Sequence, residues 1–379
     1  MNFQRKQYQN IEKLARSGHM LIIYGPRQVG KTTLLKAYFD KFEGKKSWLQ
    51  GDDLILKKEL ESRTVGRVSP IISDSKLIVI DEAQYLDDVG MVLKFLIDNY
   101  KDTIFIVTGS SAFGLLHHTR EPLTGRASYL YLYPFDISEI DDHHGRVYTL
   151  GHLNSILVYG CYPAVVKEND TDLKENIIRG LTESYMYKDI LEYEGIRNFD
   201  GVRNILKLLA TQIGHDVSIN EIANKVNLSR NTVEHYIQVL EKSFIITTSQ
   251  SVNTQNERNE IGKSKRYYFV DLGLRNALVG NFSPADIRTD IGELWENFVF
   301  IERLKKYRHA DEHIDMCFWR TYDGKEVDIL EKKNTFTKAI ECKWSDARVR
   351  PALHVAFEKR FPGLQLTVAS RDNWSQILL

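Results

Sequence analysis

Short apolar runs alternate with amphipathic stretches over the first third of the chain. Leu21–Tyr24 and Leu77-Ile78-Val79-Ile80 are unbroken apolar runs of strand length, the pattern of strands covered on both faces. Thr103–Val107 and Tyr129–Leu132 read as further strands, and Trp48-Leu49 as part of another. Between them, Gln4–Ser17 has helical spacing, with Tyr8, Ile11 and Leu14 on one face and Gly18 as the stop. A second helix is expected from about Lys31, and Val89–Tyr100 is helical again. Strands alternating with helices predict a parallel sheet wrapped by helices.

From about Pro134 the pattern changes. Leu153–Tyr159 and Leu173–Tyr193 predict helices, with Pro163 breaking the chain between them, as in a small helical subdomain. Residues 201–248 form another helical group ending in a β-like run, and the polar stretch 250–265 reads as a linker. A last unit from about Asp290 carries a helix, a β-hairpin, another helix and a strand. The fold class is therefore α/β, with expected divisions at 1–135, 136–200, 201–285 and 286–379. Repeats and low-complexity tracts are not evident.

Composition narrows this picture only a little. The 379 residues hold 51 Lys plus Arg and 51 Asp plus Glu, and such neutrality does not exclude DNA, because local patches suffice. Cys161, Cys317 and Cys342 lie far apart, so neither a disulfide framework nor a zinc site is expected, and a reducing, cytoplasmic setting fits. No apolar run approaches the roughly 20 residues of a membrane span.

Candidate chemistry begins after the first strand. Gly25-Pro26-Arg27-Gln28-Val29-Gly30-Lys31-Thr32, followed by Thr33, is a complete Walker A loop between a strand and a helix. Its glycines let backbone N–H groups turn toward phosphates, Lys31 reaches the β- and γ-phosphates of ATP, and Thr32 offers its hydroxyl to Mg²⁺. The metal's second partner should be an acid at the tip of a neighbouring strand, and Asp81 fits, although it could instead cap a helical turn. Glu82 would polarise the attacking water. In Thr108-Gly109-Ser110-Ser111, Ser110 is the candidate γ-phosphate sensor, with Thr108 as rival. Arg126 could stabilise transition-state charge in its own subunit or a neighbour's, or could be a surface arginine paired to Glu139 or Asp136. Residues around Gln4–Gln9 are expected to help form the adenine pocket.

In the middle, Ser218-Ile219-Asn220-Glu221 reads as a capping box opening a helix, Asn227-Leu228 as a turn, and Ser229 as the cap of a second helix. That is a helix-turn-helix layout, with Phe244–Thr247 beginning the wing of a winged helix. Arg230, Asn231 and His235 would face DNA, and Arg258, Lys263, Lys265 and Arg266 could add phosphate contacts or merely solvate a linker. A winged helix used only for packing or oligomerisation has the same pattern.

Near the end, Glu326–Leu330 and Thr337–Trp344 read as the arms of a hairpin. If its centre lies near Asn334–Thr335, Asp328 comes opposite Glu341, and period two puts Glu341 and Lys343 on one face. Two carboxylates beside a lysine make a Mg²⁺ site with an adjacent cation, or simply a salt-bridged hairpin. The Asp…Glu-x-Lys arrangement resembles the PD-(D/E)xK nucleases, with Val327-Asp328 where Pro-Asp is usual. That resemblance implies a glutamate on the preceding helix, either Glu296 or Glu293.

The Walker A loop, Asp81-Glu82-Ala83-Gln84 and Thr108–Ser111 together resemble the prokaryotic AAA-family-14 ATPases. Those proteins carry a C-terminal region catalogued as domain-of-unknown-function family 4143, and Tyr159–Pro163 and Lys188–Ile190 resemble that family's linker. The resemblance implies an AAA-type ATPase core with a helical lid, a winged helix and a restriction-endonuclease-like α/β domain. The function expected is Mg²⁺-dependent ATP hydrolysis acting on DNA, with a terminal nuclease or degenerate nuclease. The alternative is an ATP-dependent switch that binds DNA or a protein without cutting. A protein-remodelling ATPase is a third reading that no pore-loop pattern supports. A homo-oligomer is compatible with all three.

Overall fold

The computed structural model describes residues 3–72, 74–109, 123–184, 196, 198–252, 264–345, 348 and 350–379. Ser110, Ser111, Lys188–Ile190, Arg258 and Lys263 lie outside them. The chain divides into two compact units. The first runs to Phe135 and includes Lys242–Phe244; the second comprises Asp136–Ser184, the described part of Arg197–Glu241, and Ile245–Leu379.

The first unit is a parallel sheet between helices. Its strands are β1 (Met20–Tyr24), β2 (Lys46–Gln50), β3 (Leu77–Asp81), β4 (Ile104–Gly109) and β5 (Ala127–Tyr131), in the order β2-β3-β4-β1-β5. Every pairing is parallel. All of β1 and β3 is buried, which is why both read as unbroken apolar runs. The flanking helices are α1 (Gln7–Leu14), α2 (Lys31–Lys41), α3 (Leu54–Glu61), α4 (Val65–Ile72) and α5 (Val89–Asn99). The first helix is shorter than its spacing predicts, because Ala15 already has extended backbone. Helix α3 escapes the periodicity reading: Asp53 caps it by accepting from the Ile55 and Leu56 N–H groups, while Leu54 and Ile55 are 81% and 77% exposed.

The second unit opens with helices α6 (Ile137–His144), α7 (Arg146–Gly151), α8 (Leu153–Tyr159), α9 (Pro163–Val166) and α10 (Thr171–Ser184). Pro163 starts α9 at its first turn, where the missing N–H costs nothing. Helices α11 (Phe199–Thr211), α12 (Ile219–Val226) and α13 (Arg230–Lys242) follow. Next come β6 (Ile246–Ser251), β7 (Lys265–Phe269), α14 (Leu272–Val279), α15 (Ile291–His309), β8 (Asp315–Arg320), β9 (Glu326–Lys332), β10 (Phe336–Cys342), α16 (Pro351–Arg360), β11 (Leu366–Ala369) and α17 (Trp374–Leu378). Six strands form one mixed sheet in the order β11-β10-β9-β8-β6-β7. The β6–β7 hairpin joins it through a parallel β6–β8 pairing, so the sheet runs across residues 285–286, where the sequence pattern suggests a division. The suggested division at 200–201 likewise falls inside α11.

Helix α15 ties this sheet together. The Asn297 side chain donates to the Phe269 carbonyl and accepts from its N–H, and Trp295 Nε1 donates to the Ala369 carbonyl at 2.8 Å. Arg303, 2% exposed, makes a two-pronged pair with the fully buried Glu331, at 2.6 and 2.7 Å. Removing one member of a buried pair strands the other in low dielectric. Glu331→Ala should therefore cost about 3–5 kcal/mol, read as a lowered urea midpoint; an unchanged midpoint would contradict this account of the core.

Candidate active sites

The loop between β1 and α2 has the backbone its sequence demands. Gln28 and Gly30 have φ of 59° and 95°, the left-handed turns that bring successive N–H groups to one side. Helix α2 begins at Lys31 with no side-chain cap hydrogen bond at Gly30, the kind of helix start that suits an anion. Lys31 is buried, and its ammonium donates to the Gly25 and Pro26 carbonyls at 2.7 and 2.8 Å. Gly25 has to be glycine, because a Cβ there would stand 2.0 Å from the Leu132 carbonyl oxygen. Val29 is fully buried, while Gln28 and Thr33 are exposed.

Asp81 ends β3, with its side chain inside the fold. Its two oxygens accept from the Thr32 hydroxyl, at 2.9 Å, and from the Thr108 hydroxyl. Thr108 also accepts from the Glu82 N–H at 2.9 Å, so one β4 side chain positions both acids. The strand carrying Asp81 is not the neighbour of β1: β4 lies between them. The expectation of an adjacent strand is corrected in this respect, and Asp81 still reaches Thr32 because the sheet's C-terminal edges align. Asp81 caps no helix; Glu82 precedes a short 3-10 turn at φ 57°, and its carboxylate accepts from the Gln84 amide. Gly51 closes this edge, since a Cβ there would lie 2.4 Å from the Glu82 carbonyl oxygen.

Arg126 is placed elsewhere. It precedes β5, its carbonyl accepts from the Met20 N–H at the start of β1, and its guanidinium pairs with Asp98 at 2.9 Å. That is the sheet edge opposite the loop, about 16 Å away along a five-residue strand. Arg126 therefore cannot reach phosphates on its own loop, and its partner is neither Glu139 nor Asp136. Those two form the capping box of α6 instead, where Asp136 also meets His309 Nδ1 at 2.7 Å. Asp136, Glu139 and His309 bring three ligand atoms within 4.8 Å of one another, an arrangement this cap accounts for.

In the second unit the hairpin register runs Ile340↔Ile329 after an irregularity between Phe336 and Lys338, which sets Glu341 against Asp328. Asp328 accepts from the Cys342 N–H at 2.8 Å, and Lys343 pairs with Glu341 at 2.7 Å. Glu296 joins them from α15, accepting from the Tyr268 hydroxyl at 2.6 Å. Glu293 points to His215 at 3.5 Å and is not part of the group. At the centre lies Arg266, which the sequence pattern suggested as a surface phosphate contact. It is instead 2% exposed, stacked over Phe318 and within 3.5 Å of Asp216, Glu296, Glu326 and Asp328. Arg320 adds contacts to Asp216 and Glu326. Among the described residues, the five carboxylates of this group meet three directly paired cations, Arg266, Arg320 and Lys343, two positive charges fewer if all are ionised. Burial, and then the Asp328 charge, push Glu296 up to about 8 and Glu341 up to about 7. Among the described residues, Glu341 Oε2 is buried without a hydrogen-bond partner.

Helices α12 and α13 meet through Asn227 at φ 53°, and Ser229 accepts from the Thr232 N–H at 3.1 Å. Ser218 accepts from the Glu221 N–H, but the Glu221 carboxylate takes Lys225 at 2.6 Å rather than completing a capping box. Arg230 and Asn231 are exposed and His235 is half-buried. Arg230 pairs with Glu234 at 2.9 Å, which dilutes its charge. A cleft of about 390 Å³ beside it is lined by Arg230 and Lys265 but also by Glu234 and Glu241.

Three family models match the chain. Residues 17–141 match an AAA domain, and residues 291–368 match the domain of unknown function DUF4143, in agreement with the AAA-family-14 resemblance. Residues 150–285 match a separate domain of unknown function, DUF8612, which covers Tyr159–Pro163 and the helices that follow. An uncharacterized protein of Haemophilus influenzae is 25% identical over 82% of this chain and 79% of its own length. Uncharacterized protein MJ1544 of Methanocaldococcus jannaschii is 24% identical over 82% and 71%. Uncharacterized protein Rv2008c of Mycobacterium tuberculosis is 24% identical over 92% and 79%. Among the described residues, no helix is long and apolar enough to cross a membrane.

The raised pKa of Glu296 has a consequence for stability. A carboxyl that ionises near 8 when folded and near 4.3 when unfolded binds more protons in the fold across that window, so stability falls as pH rises through it. In chelator, Glu296→Gln should flatten that decline between about pH 5 and about pH 8. Parallel slopes for variant and wild type in urea titrations would refute the assignment.

Proposed function

We propose that the first unit is a Mg²⁺-dependent ATPase and that the second carries a metal-dependent phosphodiester-cleaving site acting on DNA. The observation that carries the first part is the contact between the Thr32 hydroxyl and the Asp81 carboxylate beside the Lys31 ammonium. The loop N–H groups and the α2 terminus bind the β- and γ-phosphates, and Lys31 trades its two carbonyl contacts for phosphate oxygens. Thr32 and Asp81 are the pair that would hold Mg²⁺, which supplies charge neutralisation between the phosphates. Glu82 orients the attacking water and takes its proton, with Gln84 steadying the carboxylate.

The second part rests on the unpartnered Glu341 Oε2 opposite Asp328. Together with the two-charge deficit, it makes these two carboxylates fit a divalent cation, whose chemistry there is Lewis-acid activation of water. Lys343 offsets charge on the scissile phosphate, and Glu296 lies beside the pair. Arg230, Asn231 and His235, on a winged helix whose wing is the β6–β7 hairpin, are the DNA-facing candidates. A second reading has its own observation: Arg266 already approaches Glu296 at 3.2 Å and Asp328 at 3.5 Å, as a resident cation would in a domain that binds without cutting.

Lys31→Ala should abolish nucleotide binding. Glu82→Gln should keep binding while losing about 10²–10⁴-fold in turnover; normal turnover would place the base elsewhere. Digestion of linear and supercoiled DNA with Mg²⁺ or Mn²⁺ tests the terminal site. Cleavage by wild type that disappears in Glu341→Ala supports the nuclease, whereas no cleavage with ATPase activity intact moves the binding-only reading to first place.

A further inference from the structure

A residue outside every motif touches the phosphate-binding loop. Arg5, 7% exposed, donates through one Nη to the Val29 carbonyl at 3.0 Å and through the other to the Tyr133 carbonyl at 2.6 Å. Its guanidinium lies 4.7 Å from the centre of the Phe135 ring, which Phe3 stacks against from 4.4 Å. Two residues on, the Gln7 amide donates to the Tyr131 carbonyl at 2.9 Å. The segment leaving β5 also closes on the loop's first residue, since Leu132 leaves no room for a Cβ at Gly25 and its N–H bonds the Tyr24 carbonyl at 2.7 Å.

We propose that Arg5 is a positioning residue of this loop, one that fixes the direction of the Gly30 N–H. In a planar trans peptide the C=O and the following N–H point opposite ways. Holding the Val29 carbonyl outward, toward Arg5, therefore turns the Gly30 N–H inward, to where phosphate oxygens bind. A guanidinium suits the task because its rigid fork serves two carbonyls at once, so the loop is referenced to the β5 exit rather than to solvent. Without it, the peptide unit between Val29 and Gly30 is free to flip, glycine imposing little preference of its own. The ordering is then lost before the nucleotide arrives, and binding must restore it.

The inference rests on the reading of the first unit as an ATP site. The full chain is titrated with MgATP and MgADP, comparing wild type, Lys31→Ala, Arg5→Ala and Arg5→Met, the last keeping an unbranched stem against Phe135. Both Arg5 variants should bind the two nucleotides about 10- to 100-fold more weakly, the loss expected for a charge-assisted hydrogen bond. Turnover at saturation should stay within about three-fold, because a pre-ordering defect is made good once nucleotide is bound. Millimolar guanidinium should restore part of the affinity in Arg5→Ala, which a merely structural loss would not show. In wild type, MgADP should slow amide exchange in residues 3–14 together with the loop, a test that needs no variant to fold. Wild type that binds no nucleotide overturns both readings. Binding abolished by Lys31→Ala but unchanged by Arg5→Ala or Arg5→Met, or exchange in residues 3–14 indifferent to MgADP, overturns only the role of Arg5.

Discussion

The first unit depends on how one buried carboxylate is satisfied. Asp81 is 2% exposed, and a buried carboxylate without donors is costly. Two hydroxyls answer it: Thr32 from the first turn of α2, and Thr108 from β4. Because Thr108 stands on the strand between β1 and β3, the insertion that separates the loop from its acid also supplies the bridge between them. The same hydroxyl anchors the Glu82 backbone, and the tight approach of Gly51 fixes the remaining side. The spacing of the loop, Asp81 and Glu82 is thus set by three adjacent strand ends.

The second unit solves the opposite problem. Among the described residues its acids outnumber the cations paired with them, and Arg266 at their centre is held by four of them. Neutral hydroxyls can satisfy a single acid, but a crowd of acids must take up protons or cations. That is why Glu296 and Glu341 are pushed toward neutrality. A divalent cation at Asp328 and Glu341 would take the place of those protons. Arg266 lowers the charge such a cation would have to balance, so the same guanidinium that permits the cluster to be buried would also limit how strongly it could attract one.

Much of this was legible in the sequence. Unbroken apolar runs gave β1 and β3, and the backbone of the loop between β1 and α2 was readable from its glycines, since Gly25 leaves no room for a Cβ and Gly30 has positive φ. The Asp328–Glu341 opposition followed from hairpin arithmetic, helped by the register irregularity near Phe336. What could not be read were partners remote in sequence. Arg126 looked well placed because strand direction, which sends it to the far edge, has no local signature. Arg266 looked like a surface cation because its burial depends on the β6–β8 pairing, which crosses a polar stretch resembling a linker. Exposed Leu54 and Ile55 hid α3 from any search for an amphipathic stripe.

Arg5 and Arg266 share a logic that motif reading passes over. Motifs preserve the groups that touch a ligand, and their spacing is stiff because the ligand's shape is. The groups that aim them need only a long side chain and a route, so they can come from any element that passes nearby. Arginine suits that place in both units, since its fork can bind two acceptors and its charge does not lapse on burial. At the loop it holds the Val29 carbonyl, and so directs the Gly30 N–H on the other side of the same peptide. At the acidic centre it holds carboxylates, and so determines how much negative charge would be left for a cation. In each case the chemistry presented to the ligand is set from behind by a guanidinium that need not touch it.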